Sequence, residues 1–109
     1  MNITETTAGG VTVAALDGRL DTATAGPAEA TLLALLGKGG VVADLTATRY
    51  VSSAGLRVLL KLAKQAKAAG APFALCGLQP AVQEVFEISG FDRVLSVHPG
   101  RAEALAAIG

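Results

Sequence analysis

Two adjacent serines, Ser52 and Ser53, are the side chains of this sequence whose type and position could most readily carry chemistry. They stand where a run of strand-forming residues gives way to a helical pattern. Serine just before a helix is a preferred cap, because its oxygen accepts a hydrogen bond from a backbone N–H that the helix leaves unpaired. We therefore expect one of the two serines to lie exposed at a helix N-terminus. On local pattern alone, a purely structural cap is the favoured interpretation.

Residues that would support enzymatic chemistry are few. The single histidine, His98, stands in a late loop, so Ser53 has no neighbouring base in the sequence that would make it a hydrolytic nucleophile. The Gly-rich segment at residues 37–40 lacks the spacing and the Lys–Ser/Thr ending of a phosphate-binding loop, and it leads into a strand. The single cysteine, Cys76, cannot form an internal disulfide, and we interpret it as a small buried hydrophobe. We therefore expect no catalytic residue and no metal site.

The composition is that of one globular domain of 109 residues, with nine basic and nine acidic side chains. This balance gives no overall field of the kind that attracts nucleic acid or an anionic membrane. No apolar run approaches the roughly 18 residues that span a bilayer. The first ten residues have neither the basic region nor the apolar segment of a secretory signal. We expect a cytoplasmic protein that binds its partners through local surfaces, without binding nucleic acid and without direct membrane insertion.

The serines belong to a stretch, Val41 to Lys67, that is predicted to form a strand, a turn and a helix. The apolar run at residues 41–45, interrupted only by Asp44, is typical of a strand covered on both faces in a parallel sheet. From Leu56 the pattern changes to the spacing of a helix with one buried face. The helix is predicted to bury Leu56, Leu59, Leu60 and Ala63 and to carry Arg57, Lys61 and Lys64 on an opposite, basic stripe.

Before this stretch, the pair Gly9–Gly10 predicts a tight hairpin between a first strand and a second one at residues 11–16. Residues 17–21 are interpreted as a polar turn. A helix follows from about Pro27 to Leu36, and the pattern leaves open whether residues 22–26 belong to it.

After the central helix, the pattern predicts a strand at residues 72–76, a helix from Pro80 to a cap at Gly90, a strand at 94–97 and a helix at 99–108. The terminal helix is predicted to turn Ala102, Leu105 and Ile108 inward. These elements predict an α/β fold with a mixed, mostly parallel sheet of about five strands, about four helices and an N-terminal hairpin. The loops around Asp21, Ser53 and Gly77 are expected to gather at the carboxyl ends of the parallel strands, where sites form in such sheets.

The run DLTATRYVSSAGLRVLL, residues 44–60, resembles the signature of STAS domains. It is most similar to the stand-alone anti-sigma factor antagonists that work with a serine kinase in bacterial partner switching. In that family an aspartate-led strand is followed by an aromatic or aliphatic pair, a serine-containing turn and Gly–Leu. Two flanking segments share the resemblance: LDGRLDTATA, with a Gly-x-Leu-Asp turn, and LCGLQPAVQEVFEISGFDRVL, with a strand, a Pro-led helix and a Ser–Gly–hydrophobic ending. The resemblance covers nearly the whole chain and implies a single STAS domain at residues 1–109.

The resemblance also implies roles for individual residues. Ser53 matches the family's phosphorylated serine, and Ser52, the alternative acceptor, stands where many members have aspartate. Asp21 and Asp44 match acidic positions beside that site. The residues expected to bind a partner are Asp21, Ser52, Ser53, Ala54, Gly55 and Arg57.

The function implied by the resemblance is that of a non-enzymatic switch. The unphosphorylated protein would bind an anti-sigma factor serine kinase and free the sigma factor, and phosphorylation would end that binding. A serine phosphatase would act on the phosphorylated form, and ATP and magnesium would belong to the kinase, with no cofactor held by this chain. Two alternatives stay open: a STAS subunit of a membrane-associated, lipid-transport type complex that serves as a constant docking module, and an enzyme acting on phosphorylated small molecules.

Overall fold

The computed structural model of the protein describes residues 1–108 and contains six β-strands and four α-helices within that range. The strands are β1 (Asn2–Ala8), β2 (Val11–Leu20), β3 (Val41–Asp44), β4 (Thr48–Val51), β5 (Phe73–Cys76) and β6 (Val97–His98). The helices are α1 (Ala25–Leu36), α2 (Ser53–Ala69), α3 (Pro80–Ser89) and α4 (Arg101–Ile108), with a short 3₁₀ helix at Phe91–Arg93. The predicted mixed α/β fold with four helices is confirmed, with one strand more than expected.

The sheet is mostly parallel. β1 and β2 form the predicted antiparallel hairpin, and β2, β3, β5 and β6 follow in that order as parallel neighbours. The additional strand, β4, pairs in parallel with β2 alone among the described residues. The pairing divides β2 into two halves, because residues 12–15 face β3 and residues 18–20 face β4.

The interpretation of residues 17–21 as a turn is wrong, since β2 continues through them to Leu20. Asp17 and Arg19 are exposed while Leu16 and Leu20 are fully buried, so the polar residues are the outward-facing positions of a strand with one solvated face. At Gly18 the backbone has a φ of +125° and the β2–β4 register shifts. This irregularity bends β2 towards a new partner, which is why β4 can follow β3 on the same edge.

The core lies mainly on the sheet face that α1, α2 and α3 cover. α1 and α2 contribute equally many buried residues to it, and those of α2 include Leu56 and Leu59, as predicted. Leu60 and Ala63 are only half-buried, because the buried face of the helix is centred nearer to Leu62. α4 covers the opposite face through a smaller apolar cluster, Val11, Val13, Val42, Ala74, Cys76 and Ala104.

Two further predictions, for the last strand and the terminal helix, differ from the structure. Residues 94–96 lie outside any strand, so the strand predicted at 94–97 is shorter and begins later: β6 comprises only Val97–His98, and the 3₁₀ helix ends at Arg93. In α4 the buried residue is Ala104, whereas Ala102 is exposed and Leu105 and Ile108 are half-buried against the small cluster. Among residues 1–108 there is no helix of the length and apolar character required to cross a bilayer.

Candidate functional site

The two serines occupy different positions at the start of α2. Ser52 is the N-cap residue, with extended backbone angles, and its side-chain oxygen accepts a hydrogen bond from the backbone N–H of Gly55 at 3.2 Å. Its own backbone N–H donates to the carbonyl of Leu20 at 2.9 Å, which joins the helix start to the end of β2. Ser53 is the first helical residue and is exposed, and its hydroxyl makes no hydrogen bond within residues 1–108. Ser52 is therefore held by the fold, and Ser53 is presented to solvent.

The first turn of α2 lies directly against the end of β2, and Gly55 makes this approach possible. Gly55 is buried, and a Cβ added there would lie 2.6 Å from the carbonyl oxygen of Leu20 and 3.1 Å from a methyl carbon of Val51. Any larger residue would push the helix away from the strand. Gly55, predicted as a partner-binding residue, thus has a structural role in fixing where the serines sit, and its contact with a partner stays a prediction.

Asp21 follows β2 and organises the loop that leads into α1. One of its carboxylate oxygens accepts hydrogen bonds from the backbone N–H groups of Ala23 at 3.0 Å and Thr24 at 3.2 Å, and the hydroxyl of Thr24 accepts one from the backbone N–H of Asp21. Desolvation acts to raise the pKa of Asp21, but the two N–H donors, the Thr24 hydroxyl and the nearby Arg19 outweigh it and lower the pKa below its ordinary value of 3.8. Asp21 is therefore a fixed negative charge at neutral pH.

Asp21 and the serines are brought together by strand pairing. Leu20 lies opposite Val51 in the parallel β2–β4 register, so the residues that follow them leave the sheet side by side. This juxtaposition agrees with the expectation for the loops around Asp21 and Ser53, whereas the Gly77 loop, expected with them, lies against Asp44 and Thr46. We call Arg19, Asp21, Tyr50, Ser52 and Ser53 the serine corner.

Arg19 and Tyr50 are members of the serine corner that the sequence argument missed. The Arg19 guanidinium lies over the Tyr50 ring, 4.4 Å from its centroid, and its Nε is 3.6 Å from a carboxylate oxygen of Asp21. Tyr50 is 43% exposed, which is high for an aromatic side chain. The signal that could have revealed them is the outward phase of both residues on their strands. Together they add an exposed aromatic surface to the paired strands that end at Asp21 and the serines.

Asp44 lies elsewhere, so its expected place beside the serines is wrong. In the β2–β3 register it is opposite Ala15, five residues before Leu20, which is roughly 17 Å along the strand. One of its carboxylate oxygens accepts from the N–H and hydroxyl of Thr46 at 2.9 and 2.6 Å, and the other from Nε of Arg101 at 2.6 Å. Gly77 belongs to this second cluster, since a Cβ there would lie 3.1 Å from the Asp44 carboxylate.

Comparison with known proteins decides the family. The sequence model of the STAS domain family matches residues 2–104. The chain is also 44% identical over 109 residues to BtrV of Bordetella bronchiseptica, a protein assigned as an anti-sigma factor antagonist, covering 98% of this chain and 94% of that one. The chain belongs to the STAS domain family.

Solved structures share the fold of this STAS domain. A structure assigned as an anti-sigma factor antagonist of Thermotoga maritima superimposes with a TM-score of 0.91 at 19% identity, covering 97% of this chain and 93% of the other. SpoIIAA in its phosphorylated form, from Bacillus, gives a TM-score of 0.72 at 16% identity over 99% of this chain and 100% of the other. SpoIIAA in its unphosphorylated form gives 0.79 at 16% identity, over 96% of this chain and 93% of the other. At these identities the likeness concerns the fold alone.

The remaining reactive side chains of the STAS domain lie away from Ser53. His98 is on β6, three strands from β2 and thus about 14 Å across the sheet, and its ring is 2.8 Å from the hydroxyl of Ser96. Cys76 is buried, and burial, followed by the nearby Asp44 carboxylate, raises the pKa of its thiol to about 11. The thiol is therefore neutral at physiological pH, in agreement with a structural role.

Ser53 combines an exposed hydroxyl with the first position of a helix. An exposed hydroxyl at a helix N-terminus has backbone N–H groups and a positive dipole end beside it, which suit an anion. Nucleophilic catalysis by the same hydroxyl would need a base within hydrogen-bond reach, and Ser53 has no such partner within residues 1–108. Within the described residues, the geometry thus offers a hydroxyl in a setting that suits an anion, without a base beside it.

Proposed function

We propose that this protein is an anti-sigma factor antagonist of a bacterial partner-switching pathway, acting in the cytoplasm. Its unphosphorylated form binds an anti-sigma factor serine kinase and releases the sigma factor, and phosphorylation of Ser53 ends this binding. The observation that carries the proposal is the exposed, unbonded hydroxyl of Ser53 at the first position of α2. The 44% identity to BtrV over almost the whole chain supports it.

The environments of the two serines favour Ser53 as the acceptor. The oxygen of Ser52 accepts from the Gly55 N–H, and the residue is half-buried, so its modification would break the cap. Ser53 has neither restraint. A phosphate on Ser53 would meet the positive end of the α2 dipole, and the first turn of this helix contains no acidic residue that would repel it. The folded state is therefore expected to survive the modification.

Loss of binding would follow from the change of the docking surface. The phosphate adds roughly −1.5 to −2 charges at pH 7, together with bulk and the cost of desolvation, at the centre of the serine corner. Asp21 already places a negative charge there, so an acidic group of the kinase would be repelled more strongly after phosphorylation. A loss of about 3 kcal/mol would weaken binding by a factor of a hundred or more.

In this scheme the protein contributes surface and acceptor, and the chemistry belongs to its partners. The kinase supplies ATP and magnesium for phosphoryl transfer, and a serine phosphatase removes the phosphate to restore the binding form. SpoIIAA has been solved in an unphosphorylated and a phosphorylated form, which supports the expectation that the fold survives such a modification.

The acceptor is tested by incubating the chain with its cognate kinase and ATP and locating the phosphate by mass spectrometry. Ser53→Ala should abolish the modification, whereas Ser52→Ala should leave much of it. The reverse result would move the acceptor to Ser52.

The switch is tested by titration calorimetry of the kinase, with nucleotide present, against Ser53→Asp and Ser53→Ala proteins whose folding is checked by circular dichroism. The aspartate should weaken binding because it places a charge on the surface, and the alanine should retain it. Equal affinities would argue against an electrostatic switch. If the chain carrying phosphoserine at position 53 also bound undiminished, a constant docking module of a membrane-associated, lipid-transport type complex would become the better account.

A further inference from the structure

Arg57 lies one helical turn after Ser53 on α2. Residues four apart on a helix are neighbours on one face, with Cβ atoms about 5–6 Å apart. Arg57 is exposed, and it forms no ion pair within residues 1–108. Glu29, which lines the same groove between α1 and α2, is bound to Lys61 at 3.3 Å. The Arg57 guanidinium is therefore available to a new anion on its own helix.

Two other cations lie near the serine corner, Arg19 and Arg49, both on the strands and both in the groove that contains Asp21. Arg19 of the serine corner stacks on Tyr50 and lies 3.6 Å from Asp21. The first turn of α2 contains no acidic side chain that would compete for Arg57. A doubly charged phosphate on Ser53 would thus have an unpaired cation, Arg57, on the same face of α2.

We propose that Arg57 is the intramolecular partner of a phosphate on Ser53. The inference rests on the proposed function, because it requires that Ser53 carry the phosphate. Three physical effects favour the pair. An anion four residues before a cation is the more stable order on a helix, a guanidinium can bind two phosphate oxygens at once, and the helix dipole holds the anion at the N-terminus.

The pair changes what a binding partner meets. In the unphosphorylated form Arg57 extends into solvent beside Ser53 and is one of the residues predicted to contact the partner. In the phosphorylated form the same side chain is folded back onto the phosphate. Phosphorylation therefore acts twice on the docking surface: it adds an anion, and it removes an arginine from the set of groups that can reach a partner. Arg57 is a positioning residue in this switch.

The pairing is tested on a chain in which phosphoserine is placed at position 53 during synthesis, so that no kinase is needed. The phosphate is titrated by ³¹P NMR at about 0.1 M salt, in the wild-type sequence and with Arg57→Gln or Lys64→Gln. Arg57 favours the dianion, so Arg57→Gln should raise the phosphate pKa by about 0.3 pH unit or more. Lys64 is the matched control: it loses the same charge eleven residues from Ser53, about 16 Å along α2, where salt screens the interaction.

The charged groups that other elements place near the serine corner are unchanged in both variants: Asp17, Arg19, Asp21 and Arg49. Arg57→Lys should restore part of the shift, since it keeps the charge without the two-pronged geometry. Circular dichroism of each unphosphorylated variant should match the wild type. Equal titration curves for the Arg57→Gln and wild-type chains, or equal shifts for Arg57→Gln and Lys64→Gln, would overturn the pairing. Failure of the kinase to modify Ser53 would instead overturn the proposed function.

Discussion

The serine corner and the Asp44 cluster both lie where parallel strands of the sheet end, and both contain an Asp–Arg pair, yet their bonding differs. Asp44 is almost fully buried, and its partner Arg101 lies 57 residues further along the chain. Asp21 is more exposed, and its carboxylate bonds only to residues within three positions of itself. The contrast shows that the fold uses one carboxylate to join distant segments and leaves the other, with Ser53, on an accessible surface.

The largest difference should appear when each arginine is removed. Arg101→Ala should lower the free energy of unfolding by about 2 to 3 kcal/mol, because the buried Asp44 charge keeps only its Thr46 bonds and α4 loses its tie to β3. Arg19→Ala, the matched change at the serine corner, should leave stability nearly unchanged, since both members of that pair meet water. Urea unfolding of both variants measures the difference. Equal losses of unfolding free energy would contradict the view that the Asp44 cluster stabilises the fold more than the serine corner does.

The position of Ser53 should depend on Gly55. Gly55→Ala should cost about 1 to 3 kcal/mol, because the new methyl group would meet the Leu20 carbonyl and displace the start of α2. Gly26→Ala, in α1, is the control: no atom lies within 4 Å of its added Cβ, so stability should rise by up to about 1 kcal/mol. Thermal unfolding compares them. A tolerated Gly55→Ala would mean that the helix start is less tightly packed than described.

Alanine substitutions of the two serines should differ in their effect on stability as well as on modification. Ser52→Ala removes the cap bond to Gly55 and should cost about 1 kcal/mol. Ser53→Ala removes an exposed hydroxyl that bonds to nothing within residues 1–108, and should change stability by less than about 0.5 kcal/mol. Chemical denaturation measures both losses. A larger loss for Ser53→Ala than for Ser52→Ala would mean that Ser53, and not Ser52, is the cap.

The contribution of Asp44 to the free energy of unfolding depends partly on pH. Burial acts to raise the pKa of Asp44, but the donors on Thr46 and Arg101 lower it below its ordinary value of 3.8. The ionised carboxylate therefore stabilises the folded state above that value, and this contribution is lost as the pH falls through the lower, folded-state pKa. Asp44→Asn should thus lose less stability than the wild type between pH 5 and pH 2. Parallel acid unfolding curves would show that Asp44 does not contribute.

Local patterns were sufficient for much of the fold and of the serine corner. The hairpin, the buried strand before Asp44, the long helix and its serine cap all depend on neighbouring residues, so periodicity and capping preferences could predict them. The strand β4 was not predicted, because Thr48–Val51 is short and its strand conformation depends on pairing with the C-terminal half of β2. The ion pair between Asp44 and Arg101 was not predicted either, because it joins residues that are far apart in the sequence. Such contacts between distant parts of the chain leave no local pattern.

The single pairing of β4 has a consequence for how such a protein can diverge. β3 pairs with strands on both edges, β2 and β5, whereas β4 among the described residues pairs with β2 alone. Tyr50 and the serines are therefore attached to the periphery of the sheet. Under the proposed function, substitutions at these outward positions would change which partner is recognised while the central strands keep their packing. Duplicated copies of the domain could in this way acquire separate partners and remain insulated from one another within one cell.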